Sequence, residues 1–188
     1  MLNMLKTSGD TLKKLCLCDC PSMTDEKFGS IVDTLTELKN ESEVGRNSPI
    51  TEVFLTACNQ LTDESMVKIE MELPHLRKLN IKCCRRIKER GIEAISNLRE
   101  LQDLAMAGCS RFSLESYERL LQCGSGLVNT TPQTGSLVCG LRTLNLSGCG
   151  VCEDERSPGD KGALHVLSKM VQLRELDLSD NNMVEDFH

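Results

Sequence analysis

Three apolar residues recur along this chain at spacing 3 and then 2, and a small residue follows three positions later. The series reads Leu12, Leu15, Leu17, Cys20; Ile50, Val53, Leu55, Cys58; Leu76, Leu79, Ile81, Cys84; Leu101, Leu104, Met106, Cys109; Leu141, Leu144, Leu146, Cys149; and Leu173, Leu176, Leu178, Asn181. Apolar residues two apart share one face of an extended chain, so each unit opens with a short strand. The spacing then turns helical: Phe28, Ile31, Val32 and Leu35 lie on one helix face, as do Met66, Val67 and Ile69, and Ile92, Ile95 and Leu98. Thr24-Asp25-Glu26, Thr62-Asp63-Glu64 and Ser113 stand just ahead of such runs. There a side-chain oxygen can satisfy the free amides of a first turn.

A strand, loop, helix and return of this size cannot bury its own apolar face, so the units must stack. The pattern is the leucine-rich-repeat signature, with Cys where many such repeats carry Asn. It predicts one α/β domain over residues 1–188: a curved solenoid of about six repeats, with parallel strands on the concave face and helices on the convex face. The inward-turning Cys should pack there as a small donor to buried carbonyls. First apolar residues are separated by 38, 26, 25, 40 and 32 positions, which places inserts near 37–48, 123–140 and 152–160. The first two precede a strand and the third follows one, so the third emerges on the opposite rim. Seven residues follow Asn181, too few for another helix. The chain therefore reads as a fragment, or as a stack whose end caps come from elsewhere.

Composition narrows the function. A hydrophobic share of 39% rules out disorder as the bulk state. A net charge of −6, with one Tyr, four Phe and no Trp, leaves neither charge nor stacking surface for nucleic acid. The longest uncharged stretch, Leu120 to Leu141, is broken by Gly and Pro and would not cross a membrane. Eleven cysteines, an odd number, without a secretory signal point to free thiols in a reducing compartment, cytoplasmic or nuclear. His75, His165 and His188 have no nucleophile pattern around them, and no Gly-rich phosphate loop occurs, so no enzyme is expected. Cys16, Cys18 and Cys20 stand roughly 10 Å from Cys83-Cys84, two strand steps away, so no metal or other cofactor is expected either.

Cys20-Pro-Ser-Met-Thr-Asp25, Cys58-Asn-Gln-Leu-Thr-Asp63 and Cys84-Arg-Arg-Ile-Lys-Glu-Arg-Gly-Ile92 resemble the cysteine-containing repeats of the F-box/leucine-rich-repeat family. The resemblance covers about residues 12–182. It implies that the repeats recognise a protein substrate for a Skp–cullin ubiquitin ligase, attached through a separate F-box. No F-box precedes the repeats here, so contact with ligase subunits would run through sequence outside this chain. The alternative is a leucine-rich-repeat scaffold or regulator without a ligase link.

Strand parity places a second set of residues on the concave floor. They are Lys14, Cys16, Cys18; Glu52, Phe54, Thr56; Lys78, Asn80, Lys82; Asp103, Ala105, Ala107; Thr143, Asn145, Ser147; and Glu175, Asp177, Ser179. Phe54 is the single aromatic among them, and Ala105 and Ala107 leave space nearby. On the rim, Lys82, Arg85, Arg86, Lys88 and Arg90 crowd the loop of unit three, and Glu153, Asp154, Glu155 and Asp160 that of unit five. Interface anchors are usually aromatic or Arg residues near the centre of a surface. Phe54, Lys78, Asn80 and Lys82 on the floor, with Arg85 and Arg86 on the rim, are therefore the expected partner-binding residues.

Overall fold

A computed structural model describes residues 12–37, 48–109, 112–120, 140–151 and 162–181. Apart from their edges, the three expected inserts lie outside the described residues, as do Glu153, Asp154, Glu155 and Asp160. Strand and helix alternate as β1 (Lys14–Cys16), α1 (Asp25–Glu37), β2 (Glu52–Phe54), α2 (Asp63–Glu72), β3 (Lys78–Asn80), α3 (Glu89–Ser96), β4 (Asp103–Ala105), α4 (Leu114–Leu120), β5 (Thr143–Asn145), α5 (Gly162–Leu167) and β6 (Glu175–Asp177).

The six strands form one open parallel sheet in chain order. Their middle residues stand in register: Leu15, Val53, Leu79, Leu104, Leu144 and Leu176 make a single column. The first five are buried, with the apolar residues of the following turn, Leu55, Ile81, Met106 and Leu146, packed beside them. No described element lies beyond β6, and Leu176 is 41% exposed. Consecutive helices pack on one another across the other side. Strands sit about 4.8 Å apart while packed helices need about 8–10 Å, so the stack bends with the sheet on its inner side. This is the leucine-rich-repeat solenoid that the spacing predicts.

Two ladders stitch neighbouring repeats together. The first uses the cysteine that recurs after each strand, or Asn181 after the last. In each unit the residue before it, Asp19, Ala57, Cys83, Gly108, Gly148 or Asp180, adopts φ between 54° and 66°. That left-handed step turns the chain inward. The Sγ of Cys58, Cys84, Cys109 and Cys149 then donates to the carbonyls of Leu17, Leu55, Ile81 and Met106 in the preceding unit, at 2.8, 3.0, 3.1 and 3.0 Å. Asn181 does the same through Nδ2 to Leu146 O at 2.9 Å, and its Oδ1 also accepts the Val151 N–H at 3.0 Å. Cys and Asn interchange here because each is a small donor facing a carbonyl that would otherwise be buried without a partner. Cys20, first in the series, is half-buried and its Sγ reaches only Cys18 O, at 3.4 Å.

The second ladder runs through the acidic residue that opens each of the first three helices. Asp25 accepts the Thr62 N–H at 2.9 Å, the Thr62 hydroxyl at 2.8 Å and the Ser65 hydroxyl at 2.5 Å. Asp63 accepts the Lys88 N–H at 2.6 Å, and Glu89 accepts the Ser113 N–H at 3.0 Å. The acid thus does more than complement its own helix N-terminus; it fixes the start of the next helix. Inside α3, Gly91 is required by this closeness, because a Cβ there would lie 2.6 Å from Asp63 Oδ1 and 2.7 Å from Ile87 Cγ2.

Candidate protein-binding face

Register turns the outward residues into two columns flanking the buried one. Lys14, Glu52, Lys78, Asp103, Thr143 and Glu175 form one; Cys16, Phe54, Asn80, Ala105, Asn145 and Asp177 form the other. Side chains directly opposite on neighbouring strands stand within reach of each other, and one pair of opposite charges in the first column meets. Lys78 Nζ lies 3.3 Å from Asp103 Oδ2. In the second column, Phe54 is half-buried rather than fully exposed. Lys14 Nζ sits 4.4 Å from its ring centroid, which shields one face of the ring.

A recess of about 100 Å³ opens at the middle of this face. Phe54, Asn80 and Ala105 line it from one column, and Lys78, Asp103 and Thr143 from the other, with Leu79 and Leu104 between them. It exists because Ala105 is short where its in-register neighbours, Asn80 and Asn145, are longer. The Asn80 side chain is oriented by its Oδ1, which accepts the Lys82 N–H and the Thr56 hydroxyl, each at 3.1 Å. Its NH2 group is thereby the end available to a ligand.

Of the six expected partner-binding residues, the structure brings Phe54, Lys78 and Asn80 into this recess. Lys82, Arg85 and Arg86 do not line it; they follow β3 on the loop to α3, Lys82 half-buried and both arginines exposed. Arg90 belongs to α3 and pairs with Glu64 of α2, and the Lys88 N–H is held by Asp63. Asp103, Ala105 and Thr143 complete the outward lining of the recess and were not among the six. Their signal was present in the sequence as equal positions of aligned repeats, but a preference for aromatic and cationic anchors passed over them.

The thiols divide into two classes. Cys16, Cys18 and Cys83 are exposed; Cys58, Cys84, Cys109 and Cys149 are buried. Burial pushes all four buried thiols above their ordinary value, Cys84 and Cys109 to about 12. They are packing groups and hydrogen-bond donors, since reactive cysteines need the opposite shift. Among the described residues no group of three or more His, Cys, Asp or Glu is arranged to hold a metal ion. At the far end of the face, Asp177 is held below the usual carboxylate range by hydrogen bonds from the Ser179 hydroxyl and N–H, with help from Asn145 and Lys82.

Two stretches of the chain, residues 72–96 and 172–186, match the family model for the leucine-rich repeat. The first spans the end of α2, β3, its turn and α3, a complete repeat; the second begins just before β6. No curated protein matches the chain at a significant level. Leucine-rich-repeat domains generally mediate protein–protein interaction.

Proposed function

We propose that this solenoid is a protein-recognition module that seats a segment of its partner on the sheet face, around Phe54, Lys78 and Asn80, with Lys82, Arg85 and Arg86 on the adjoining rim. The recess between β2 and β5 carries this reading: it is an apolar-walled depression at the centre of an otherwise polar face. Six strands give a floor roughly 24 Å long, which suits a peptide segment better than a small cofactor. The resemblance of the Cys-to-Asp steps to F-box-type repeats supports a finer reading, substrate recognition for a Skp–cullin ubiquitin ligase in the cytoplasm or nucleus. In that reading the ligase subunits are contacted through sequence outside this chain.

A photo-crosslinking residue at position 54 should capture a partner that one at Glu93, exposed on α3, does not. Phe54→Ala should weaken that partner about tenfold or more, the cost of removing a central anchor. Capture from position 93 alone overturns the sheet-face reading. Recovery of Skp and cullin subunits with the full-length product tests the ligase link separately.

A further inference from the structure

The sheet face is charged unevenly along the stack. Lys82, Arg85 and Arg86 cluster just after β3, whereas Glu175, Asp177 and Asp180 mark β6 and its turn. The Lys78–Asp103 pair neutralises itself at the recess and adds to neither end. Backbone dipoles of the parallel strands run along the strands, across the stack, and so do not distinguish one end of the stack from the other. The basic cluster stands on the rim beside the recess, which spans β2 to β5, and the acidic end lies three strand steps from that cluster, roughly 14 Å along the stack. The recess itself wants an apolar guest: Phe54 and Ala105 offer carbon, the Lys78 and Asp103 charges satisfy each other, and the Asn80 oxygen already has two donors.

We infer that the face takes an extended segment with one aliphatic side chain in the Phe54–Ala105 recess, acidic residues toward Lys82 and Arg86, and basic residues toward Glu175 and Asp180, so that charge fixes which way the partner lies along the stack. This rests on the protein-recognition reading above and adds the partner's chemistry and direction to it. A span of roughly 14 Å is about four extended residues, so the partner's acidic residues fall beside the aliphatic one and its basic residues about four residues further along. Asn80 NH2 can then bond a main-chain carbonyl of the segment. Charges at the ends of such a face orient the encounter more than they tighten it.

The test is a selection of displayed random twelve-residue peptides on the full chain, with counter-selection against Ala105→Trp, which fills the recess. Phe54→Ala serves as a second recess variant should the Trp substitution disturb the fold seen by circular dichroism. Enriched peptides should carry an aliphatic residue with Asp or Glu close beside it and Lys or Arg about four residues away. The best of them should lose about tenfold or more in affinity against Lys82→Glu/Arg86→Glu, and exchanging its acidic residues for Lys should restore binding to that variant. Peptides that bind both recess variants as well as the parent, or a selection that yields no recess-dependent peptide, overturn the sheet-face reading itself. Recess-dependent peptides that lack the charge order, or that are not rescued by the exchange, overturn the inferred direction and leave that reading standing.

Discussion

Alkaline titration reaches the cysteine ladder directly. Cys84 and Cys109 are buried, each Sγ donates to a carbonyl of the preceding repeat at 3.0 and 3.1 Å, and burial pushes both thiols up to about 12. In the unfolded chain the same thiols lose their protons near pH 8.5–9, about the ordinary value. Between that pH and 12 the folded state binds more protons than the unfolded one. The stability these groups contribute is therefore complete below about pH 8.5 and is lost as pH rises toward the folded value. Each thiol gives a slope of about 1.4 kcal/mol per pH unit, so the two give roughly 3 kcal/mol per unit. Cys58 and Cys149, raised by the same burial, steepen the loss. Against a typical total of about 5–15 kcal/mol, two pH units remove a large part of the stability. Urea unfolding followed by circular dichroism, from pH 8 to 11 in a non-thiol reductant, measures the slope. The comparison is with Cys84→Ala/Cys109→Ala, in which every other group is unchanged. That variant should be weaker at pH 8, having lost two hydrogen bonds and some packing, and its stability should fall with pH less steeply by roughly 3 kcal/mol per unit. Parallel slopes for the two proteins would refute the assignment of these thiols as buried donors. At pH 8 a disulfide-exchange reagent should modify Cys16, Cys18 and Cys83 before any of the four buried thiols.

Removing the acid of the second ladder has a graded cost. Asp25→Ala leaves three donors without an acceptor, one of them on buried Ser65, and should destabilise by about 2–4 kcal/mol, against about 1 kcal/mol for Asp63→Ala, by urea unfolding. Burial opposes ionisation of Asp25, but hydrogen bonds from Ser65 and Thr62 outweigh it and hold its carboxyl below the usual range. Its contribution is thus present above about pH 4, lost as pH falls through the lowered value, and absent from the acid limb of the Ala variant. Among glycines, Gly108→Ala should cost about 1–2 kcal/mol, since φ is +66° and the new Cβ would stand 3.2 Å from Cys83 Sγ. Gly29→Ala, in α1 with nothing within 4 Å of the new Cβ, should instead stabilise by about 0.5–1 kcal/mol; thermal melts of the two variants decide the sign.

Most of the architecture was legible because one physical requirement repeats. A parallel register demands an apolar residue at the same place in every strand, and Leu15, Val53, Leu79, Leu104, Leu144 and Leu176 answer it. The buried cysteines were legible for the same reason. Contacts between repeats were not. Asp25, Asp63 and Glu89 read in the sequence as helix-start signals, and only the register of neighbouring units shows that they also bind the next helix start. That explains α3, which begins at Glu89 after Lys88 with no side-chain cap of its own. The left-handed turn is likewise hidden, because only units four and five spell it with Gly, whereas Ala57 and Cys83 adopt it at a cost. At the candidate site, Phe54, Lys78 and Asn80 follow from strand parity, but Lys14 over the Phe54 ring and the Lys78–Asp103 pair depend on side-chain reach across strands.

The recess depends on the cysteine ladder, although none of its residues lines it. Its depth comes from Ala105 being aligned with Asn80 and Asn145, and a slip of one residue would put a core side chain, Leu104 or Met106, on the outer face. Beyond one end of β4 the Cys109 thiol is tied to Ile81 O; at the other the Gln102 and Asp103 N–H groups share Arg77 O, at 2.9 and 3.0 Å. Each strand is thus pinned to its predecessor at both ends, while its two outward side chains carry no part of that linkage except where charges pair. The face is held rigid before any partner arrives, so the entropy of ordering a bound segment falls mainly on the partner. A frame of this kind lets the outward columns change from repeat to repeat without disturbing the stack. It also separates two kinds of substitution: those in the ladders act on stability, and those at Phe54, Lys78 and Ala105 act on what the face can hold.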